Sequence, residues 1–396
     1  MADYDKDSAD VSALFKRKYE KPSEQTFNTM YAILSQVKQI DNFTGSQKNF
    51  PVSLSYGGSV GSGTLPTANT AQWGDIVLTR KKVYARLGID RETIYAAKDD
   101  AGAFVRSTKE FVRKTVESYT RNTSRILFGT GDGSLGVIAS GGVSGSNPYV
   151  LTISDATWKE ANFEENDYVN IETGNTDLFE ITAVDASAKT ITVSRVSGSQ
   201  VPVAGDEIFM QGSEDNDPNG LQNVCDATSG SLYNVSVQRR WKAYQKAAGG
   251  AAISIDLLNE ACLDMIKATG KKPSHIAVSY VQFRKLLNEL QDQKVYNFGP
   301  KHEAYKASTS FTAIEHMTPG GVVPIVPERF VPDSRIYLLN TDFIEMHRAP
   351  GFGWFDDDGT VLLRQADSDA YEARYGGYWN FYINPAFQGT ITGLAV

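Results

Sequence analysis

Residues 99–127 read DDAGAFVRSTKEFVRKTVESYTRNTSRIL, and Gly129-Thr130-Gly131-Asp132-Gly133 follows one residue later. Phe104, Thr108, Phe111, Val112, Thr115, Val116, Tyr119, Thr123 and Ile126 recur at three- and four-residue spacing, the period of one buried helical face. Arg106, Lys109, Arg113, Lys114, Arg121 and Arg125, with only Glu110 and Glu117 against them, fill the opposite face. Asp99 or Asp100 is placed to cap the first turn, because a carboxylate accepts from amides that have no helical partner. Gly129 is expected to end the helix, since glycine reaches a left-handed conformation without steric cost. At about 1.5 Å per residue such a helix runs roughly 40 Å. It is the longest uninterrupted helix the sequence predicts, and the remaining parts are placed relative to it.

Upstream, residues 1–48 read as an N-terminal arm. Residues 1–10 are polar and acidic, and Phe27, Met30, Tyr31, Leu34 and Val37 have helical spacing over residues 24–37. Residues 49–95 read as an extended hairpin, with strands expected at 51–56 and 76–89. Between them lie Gly57, Gly58, Gly61, Gly63 and Gly74 in a loop too long for a compact domain; such loops are usually functional. Glycine raises the entropy lost on ordering, so contacts from outside must hold the loop, and an isolated hairpin is marginal in water. The expectation is an arm lying across another molecule, with Gly57, Gly58, Gly61, Gly63, Leu65 and Trp73 as inter-subunit contact candidates; the plainer alternative is a surface loop.

Downstream, residues 131–136 match G-x-G-x-x-G, but the dinucleotide motif needs a strand before it and a helix after it. Here a helix precedes, so a nucleotide site is rejected. Residues 96–146 therefore hold the helix and part of one domain. Residues 147–212 carry short apolar strands separated by polar turns, the pattern of a small inserted β-barrel or sandwich. Residues 213–250 return to the first domain. Residues 251–350 form an α+β unit, with helices expected at 255–269 and 281–290. Residues 351–396 supply aromatic-rich C-terminal strands.

Chemistry finds little to stand on. His275, His302, His316 and His347 lack the spacing of paired metal ligands. Residues 142–146 (GVSGS) miss the nucleophile-elbow pattern at the last glycine. Asp356, Asp357 and Asp358 lack the calcium-loop spacing and read as an acidic turn. Cys225 and Cys262 have no basic neighbour in sequence to lower a thiol pKa and are too few for a disulfide framework. An enzyme is therefore not expected, and no cofactor or metal is. The net charge of −8 argues against a dedicated nucleic-acid binder. No apolar run reaches the roughly 20 residues that span a bilayer, so no membrane partner is expected, and no signal peptide is recognised.

The order of parts resembles the major capsid protein of tailed bacteriophages, with the Hong Kong 97-type fold. The resemblance is carried by 76–89 (IVLTRKKVYARLGI) leading into the long helix and the Gly-Asp-Gly turn at 131–133. It is also carried by 255–258 (IDLL), 272–279 (KPSHIAVS) and 283–286 (FRKL), and by 323–326 (VPIV), 335–341 (RIYLLNT), 374–377 (RYGG) and 385–387 (PAF). No single motif is specific; their order is. The resemblance implies an α+β fold of N-arm, extended loop (E-loop), spine helix, peripheral domain and axial domain, with residues 147–212 as an added surface domain. It implies self-assembly of hexamers and pentamers into an icosahedral shell around double-stranded DNA. The implied partners are a separate scaffolding protein, a portal protein and a decoration or cement protein. DNA would be met weakly and without sequence preference, and the basic helix face carrying Arg106, Lys109, Arg113, Lys114, Arg121 and Arg125 is the inner-face candidate; the plainer alternative is an ordinary solvated face. The location implied is the virion, assembled in the bacterial cytoplasm. Some relatives crosslink through an E-loop lysine, and residues 57–79 contain none. The rival expectations are an encapsulin-like shell of a bacterial nanocompartment, which shares the fold, and a surface-binding β protein.

Overall fold

The computed structural model describes residues 31–55, 72–90, 101–172, 174–292, 314–318, 321–356, 361, 363–365 and 369–396; for residues 90, 101–110, 291, 292, 314 and 315 it describes backbone alone. A short helix, α1 (Ala32–Gln36), and strand β1 (Lys38–Ile40) lead into a hairpin of β2 (Gln47–Ser53) and β3 (Trp73–Thr79). These strands pair antiparallel from Gln47 opposite Thr79 to Ser53 opposite Trp73. The strand expected over 76–89 is broken at Arg80. Its second half, β4 (Lys81–Asp90), leaves the hairpin and pairs with the C-terminal part of the chain. Residues 1–30 of the arm lie outside the described residues, as do Gly57, Gly58, Gly61, Gly63 and Leu65.

The long helix is α2 (Ala101–Leu127). Val112, Thr115, Val116, Tyr119, Thr123 and Ile126 are buried, as their spacing predicts, whereas Phe111 is 46% exposed. Thr115, Thr120 and Thr123 donate their hydroxyls to the carbonyls of Phe111, Val116 and Tyr119 at 2.8–2.9 Å. A buried threonine is thereby satisfied inside its own helix. The N-cap candidates Asp99 and Asp100 lie outside the described residues. The stop differs from expectation: Gly131 and Gly133, at φ 87° and 93°, take the left-handed turn. Gly129 closes the last turn through its amide, which donates to Ile126 O at 2.9 Å.

Strands β5 (Ser134–Gly145), β6 (Tyr149–Ile153), β7 (Tyr168–Ile171), β8 (Leu178–Asp185), β9 (Thr190–Ser197) and β10 (Glu207–Met210) close into a barrel in the order β10-β5-β6-β9-β8-β7. Leu151, Ile171, Phe179, Ile181, Ile191, Val193 and Ile208 fill its core with no exposed surface. The barrel starts at Ser134 rather than at residue 147. Its first strand holds Gly136, Gly141, Gly142 and Gly145, and its pairing with β6 shifts register between Ile138 and Val143. A Cβ on Gly142 would sit 2.7 Å from Thr152 O. A bulged strand that admits only glycine looks like a turn in sequence.

After the barrel come α3 (Leu221–Asp226), the small pair β11 (Ser231–Leu232) and β12 (Val235–Ser236), and β13 (Tyr244–Ala247). Next are α4 (Ile255–Thr269), β14 (His275–Val278), α5 (Tyr280–Asp292), β15 (Ile314–Thr318), β16 (Gly321–Pro327) and β17 (Arg335–Leu339). The chain ends with β18 (Ile344–Arg348), β19 (Gly353–Trp354), β20 (Leu363–Arg364), β21 (Ala370–Ile383) and β22 (Gly389–Thr392). Helix α4 begins and ends where its signals stand. Ser254 Oγ accepts from Leu257 N at 3.1 Å, and Gly270 stops the helix at φ 75°.

Two six-stranded sheets carry the body. One runs β13-β22-β17-β14-β16-β15, and α4 and α5 cover it through Leu258, Cys262, Met265, Phe283 and Leu286 against Ile276, Val278, Ile336, Leu338 and Ile391. This sheet and its helices take up much of the unit expected at 251–350, and β22 and β13 join it from outside that span. The other sheet is built on β21, which pairs with β18, β19, β20 and β4; β1 joins it beside β18 in parallel. The second sheet packs with α1 and α2 in one large core. The chain is thus α+β, with two sheets, one long helix packed on the sheet built on β21, and a closed barrel inserted after that helix.

Candidate assembly surfaces and the spine-helix cleft

The helix α2 is tied to β21 by aromatic side chains. Trp379 Nε1 donates to Tyr119 OH at 2.7 Å, both groups buried. The Tyr119 ring meets Tyr375 edge-on at 5.2 Å and Phe352 at 5.8 Å. Burial lifts the Tyr119 hydroxyl far above its ordinary pKa, so it remains a neutral donor and acceptor. Gly376 makes the approach possible: it sits at φ 148°, and a Cβ there would lie 2.3 Å from Val83 O. These contacts make helix and sheet one rigid unit.

The C-terminal end of α2 is closed by other elements. Its last carbonyls have no partner inside the helix. Gly129 O accepts from the amides of Gln222 and Asn223 at 3.1 and 3.4 Å, at the start of α3. The approach requires glycine at 220, where a Cβ would lie 2.3 Å from Gly129 O and 2.5 Å from Ile126 O. From the barrel side, Lys159 Nζ donates to Phe128 O at 2.8 Å and to Gln222 Oε1 at 3.3 Å. Burial, with Arg335 and Arg125 nearby, pushes the Lys159 ammonium down to about 7. Nothing in the sequence marked Lys159; only the fold brings it to the helix end.

The six basic candidates on α2 do not share one solvent face. The side chains of Arg106 and Lys109 lie outside the described residues. Arg113 is exposed and pairs with Glu117 at 3.4 Å, and Lys114 is exposed. Arg121 and Arg125 correct the expectation. Arg121 pairs with Glu164 of the barrel and donates to Ala161 O at 2.8 Å. Arg125 is buried, donating to Asp217 Oδ2 and to Asn122 Oδ1, each at 2.8 Å. At 3.6 residues per turn, positions 114, 121 and 125 share one stripe, on which Lys114 is exposed while Arg121 and Arg125 meet their partners. That stripe forms one wall of a cleft of about 430 Å³, with β4 and the barrel as the other walls.

The barrel also explains where the charge sits. Between Ser134 and Met210, eleven Asp and Glu residues stand against three Lys and Arg. The whole chain has 47 acids and 39 bases, so the remainder is balanced at 36 of each. The acidity is a property of the inserted domain. On the hairpin, Trp73 is 66% exposed at the last pair of the described ladder, the one contact candidate of that loop within the described residues. The chemistry-bearing residues are structural. Burial pushes the thiols of Cys225 and Cys262 up to about 12 and about 11. His347 lies between Lys48 Nζ at 3.2 Å and Glu345 Oε2 at 3.0 Å, and His275 lies 3.0 Å from Ser274 Oγ. His302, Asp357 and Asp358 lie outside the described residues. No cluster of three metal-ligating side chains occurs among the described residues, and no helix among them is long and apolar enough to cross a membrane.

Comparison with known proteins places this architecture. Residues 206–354 match the family described as SU10 major capsid protein. The capsid protein of cyanophage A-1(L) superposes with a TM-score of 0.56 at 10% identity, over 91% of this chain and 92% of that one. The structure from Mycobacterium phage Bobi aligns over 98% of both chains at 11% identity, with a TM-score of 0.44. No curated protein matches the chain in sequence. The fold is the Hong Kong 97-type capsid fold.

Proposed function

We propose that this chain, a major capsid protein of the tailed-phage kind by its fold and by the match over residues 206–354, assembles hexamers and pentamers into an icosahedral shell around double-stranded DNA. The observation that carries the reading is the superposition on the cyanophage capsid chain over 91% of this chain and 92% of that one. The nanocompartment alternative is not favoured, because the matched family is a phage capsid protein.

The remaining assignments are proposals built on the geometry. The hairpin β2–β3, with exposed Trp73 at the end of its ladder, reaches a neighbouring subunit as the E-loop. Many such contacts of modest strength become strong together when each subunit engages several neighbours. The barrel, which holds the whole surplus of acids, faces outward, because DNA phosphates repel it. Exposed Lys114, and Arg113 beside its partner Glu117, offer weak, salt-sensitive contact to DNA. A separate scaffolding protein, a portal protein and a decoration or cement protein complete the assembly in the host cytoplasm. Electron microscopy of the expressed chain, with and without co-expressed scaffold, tests the central claim. Closed shells are expected; monomers under every condition would overturn it.

A further inference from the structure

The cleft between α2, β4 and the barrel has the marks of a peptide site. Asn162 on the barrel wall is 3% exposed. Its Nδ2 donates to Leu135 O at 2.8 Å, yet its Oδ1 accepts no hydrogen bond among the described residues. A buried carbonyl left without a donor is costly, and an incoming N–H group removes the deficit. Tyr84 and Phe111 present exposed rings to the same cleft, at 54% and 46%. Exposed Lys114 adds positive charge, as does Arg86, which also pairs with Glu372 at 3.7 Å; of the two acids on the lining, Glu164 pairs with Arg121 and Asp167 lies beside it. A segment with free amides, carboxylates and an apolar or aromatic residue fits this lining.

We propose that the occupant is the chain's own acidic N-terminal segment, residues 1–10. Those residues hold Asp3, Asp5, Asp7 and Asp10 against Lys6 alone, with Tyr4 among them. The described chain begins at Tyr31, whose hydroxyl feels the charges of Arg121 and Glu164, both on the cleft wall. The twenty residues between Asp10 and Tyr31 can extend to roughly 65 Å, at about 3.3 Å each, so reach sets no obstacle. The aspartates meet Arg86 and Lys114, and a main-chain amide satisfies Asn162 Oδ1. The inference does not rest on the shell reading and holds for an isolated subunit.

The test places a benzophenone amino acid at position 111 of the full-length chain, irradiates it, and identifies crosslinked peptides by mass spectrometry. The dominant crosslink is expected to residues 1–16. Its yield should fall several-fold with Lys114→Glu, whose exposed position leaves the fold intact, and should fall again at high salt, which screens exposed charges. Crosslinks mainly to residues 56–71, to another protein or to nothing would overturn the proposal. So would a yield indifferent to Lys114→Glu.

Discussion

Glu328→Gln separates the buried charge of Glu328 from its hydrogen bond. Glu328 is 3% exposed, and its Oε1 accepts from Ile33 N at 2.8 Å, 295 residues away in sequence. Tyr31, at the N-cap of α1, offers no side-chain cap, so this carboxyl satisfies an amide of the first turn that would otherwise lack a partner. Burial pushes the Glu328 carboxyl up from 4.5 to about 7, against a smaller opposing pull from the Ile33 amide. The folded chain therefore keeps a proton that the unfolded chain has released. The stability from this group is fully present below about pH 4.5 and is lost as pH rises through about 7. At ~1.4 kcal/mol per pKa unit, the full loss is on the order of 3 kcal/mol. Glutamine keeps an acceptor for Ile33 and never ionises. Urea unfolding followed by tryptophan fluorescence at fixed pH should show the variant gaining on the parent chain from pH 4.5 to pH 8, by up to ~3 kcal/mol. A difference that stays constant across that range would refute the reasoning, because an uncharged packing effect has no pH dependence.

Other expectations follow from single contacts. Tyr119→Phe removes the acceptor of Trp379 Nε1 inside the core and should cost about 1–3 kcal/mol in the same urea assay; an unchanged midpoint would remove the helix–sheet link. Gly220→Ala drives a Cβ into the backbone of Gly129 and Ile126 and should destabilise by about 1–3 kcal/mol, whereas a neutral outcome would mean α3 can shift away from the helix end. Replacing residues 56–71 by Asn-Gly joins Ser55 to Gln72, whose amide already donates to Ser55 Oγ at 2.9 Å just beyond the ladder. That variant should fold as the parent does by circular dichroism yet fail to form stable shells in electron micrographs. Normal shells from it would end the E-loop assignment.

What the sequence exposes and what it hides divide along the range of the contacts. Helix α4 was legible to the residue over 255–269, and the contacts that set its ends, at Ser254 and Gly270, are local ones that act within one turn. The buried face of α2 was legible for the same reason. Phe111 was misplaced because it lies at the cleft, where the neighbouring surface stops short of covering it. Arg121, Arg125 and Lys159 were misread or missed because their roles come from partners far away in sequence, at Glu164, Asp217 and Phe128. Periodicity reports which side of a helix is buried, and carries nothing about which charged side chains will meet a partner on the other side.

The charge balance shows the same limit more sharply and changes the argument about DNA. A total of −8 spread over the subunit would set every surface weakly against a polyanion. The fold gathers that surplus into one barrel, leaving the rest of the chain with equal numbers of acids and bases. Beyond a Debye length of about 8 Å at physiological salt, exposed charges on the barrel are largely screened from the rest of the subunit. On the proposed reading, a balanced body neither holds DNA tightly nor drives it away, and exposed cations on α2 would make contact weak and reversible. The barrel, in turn, is free to carry its charge on whichever side of the shell DNA does not occupy. Domain insertion thus lets one chain present two electrostatic characters, which the composition taken as a whole averages into a single misleading number.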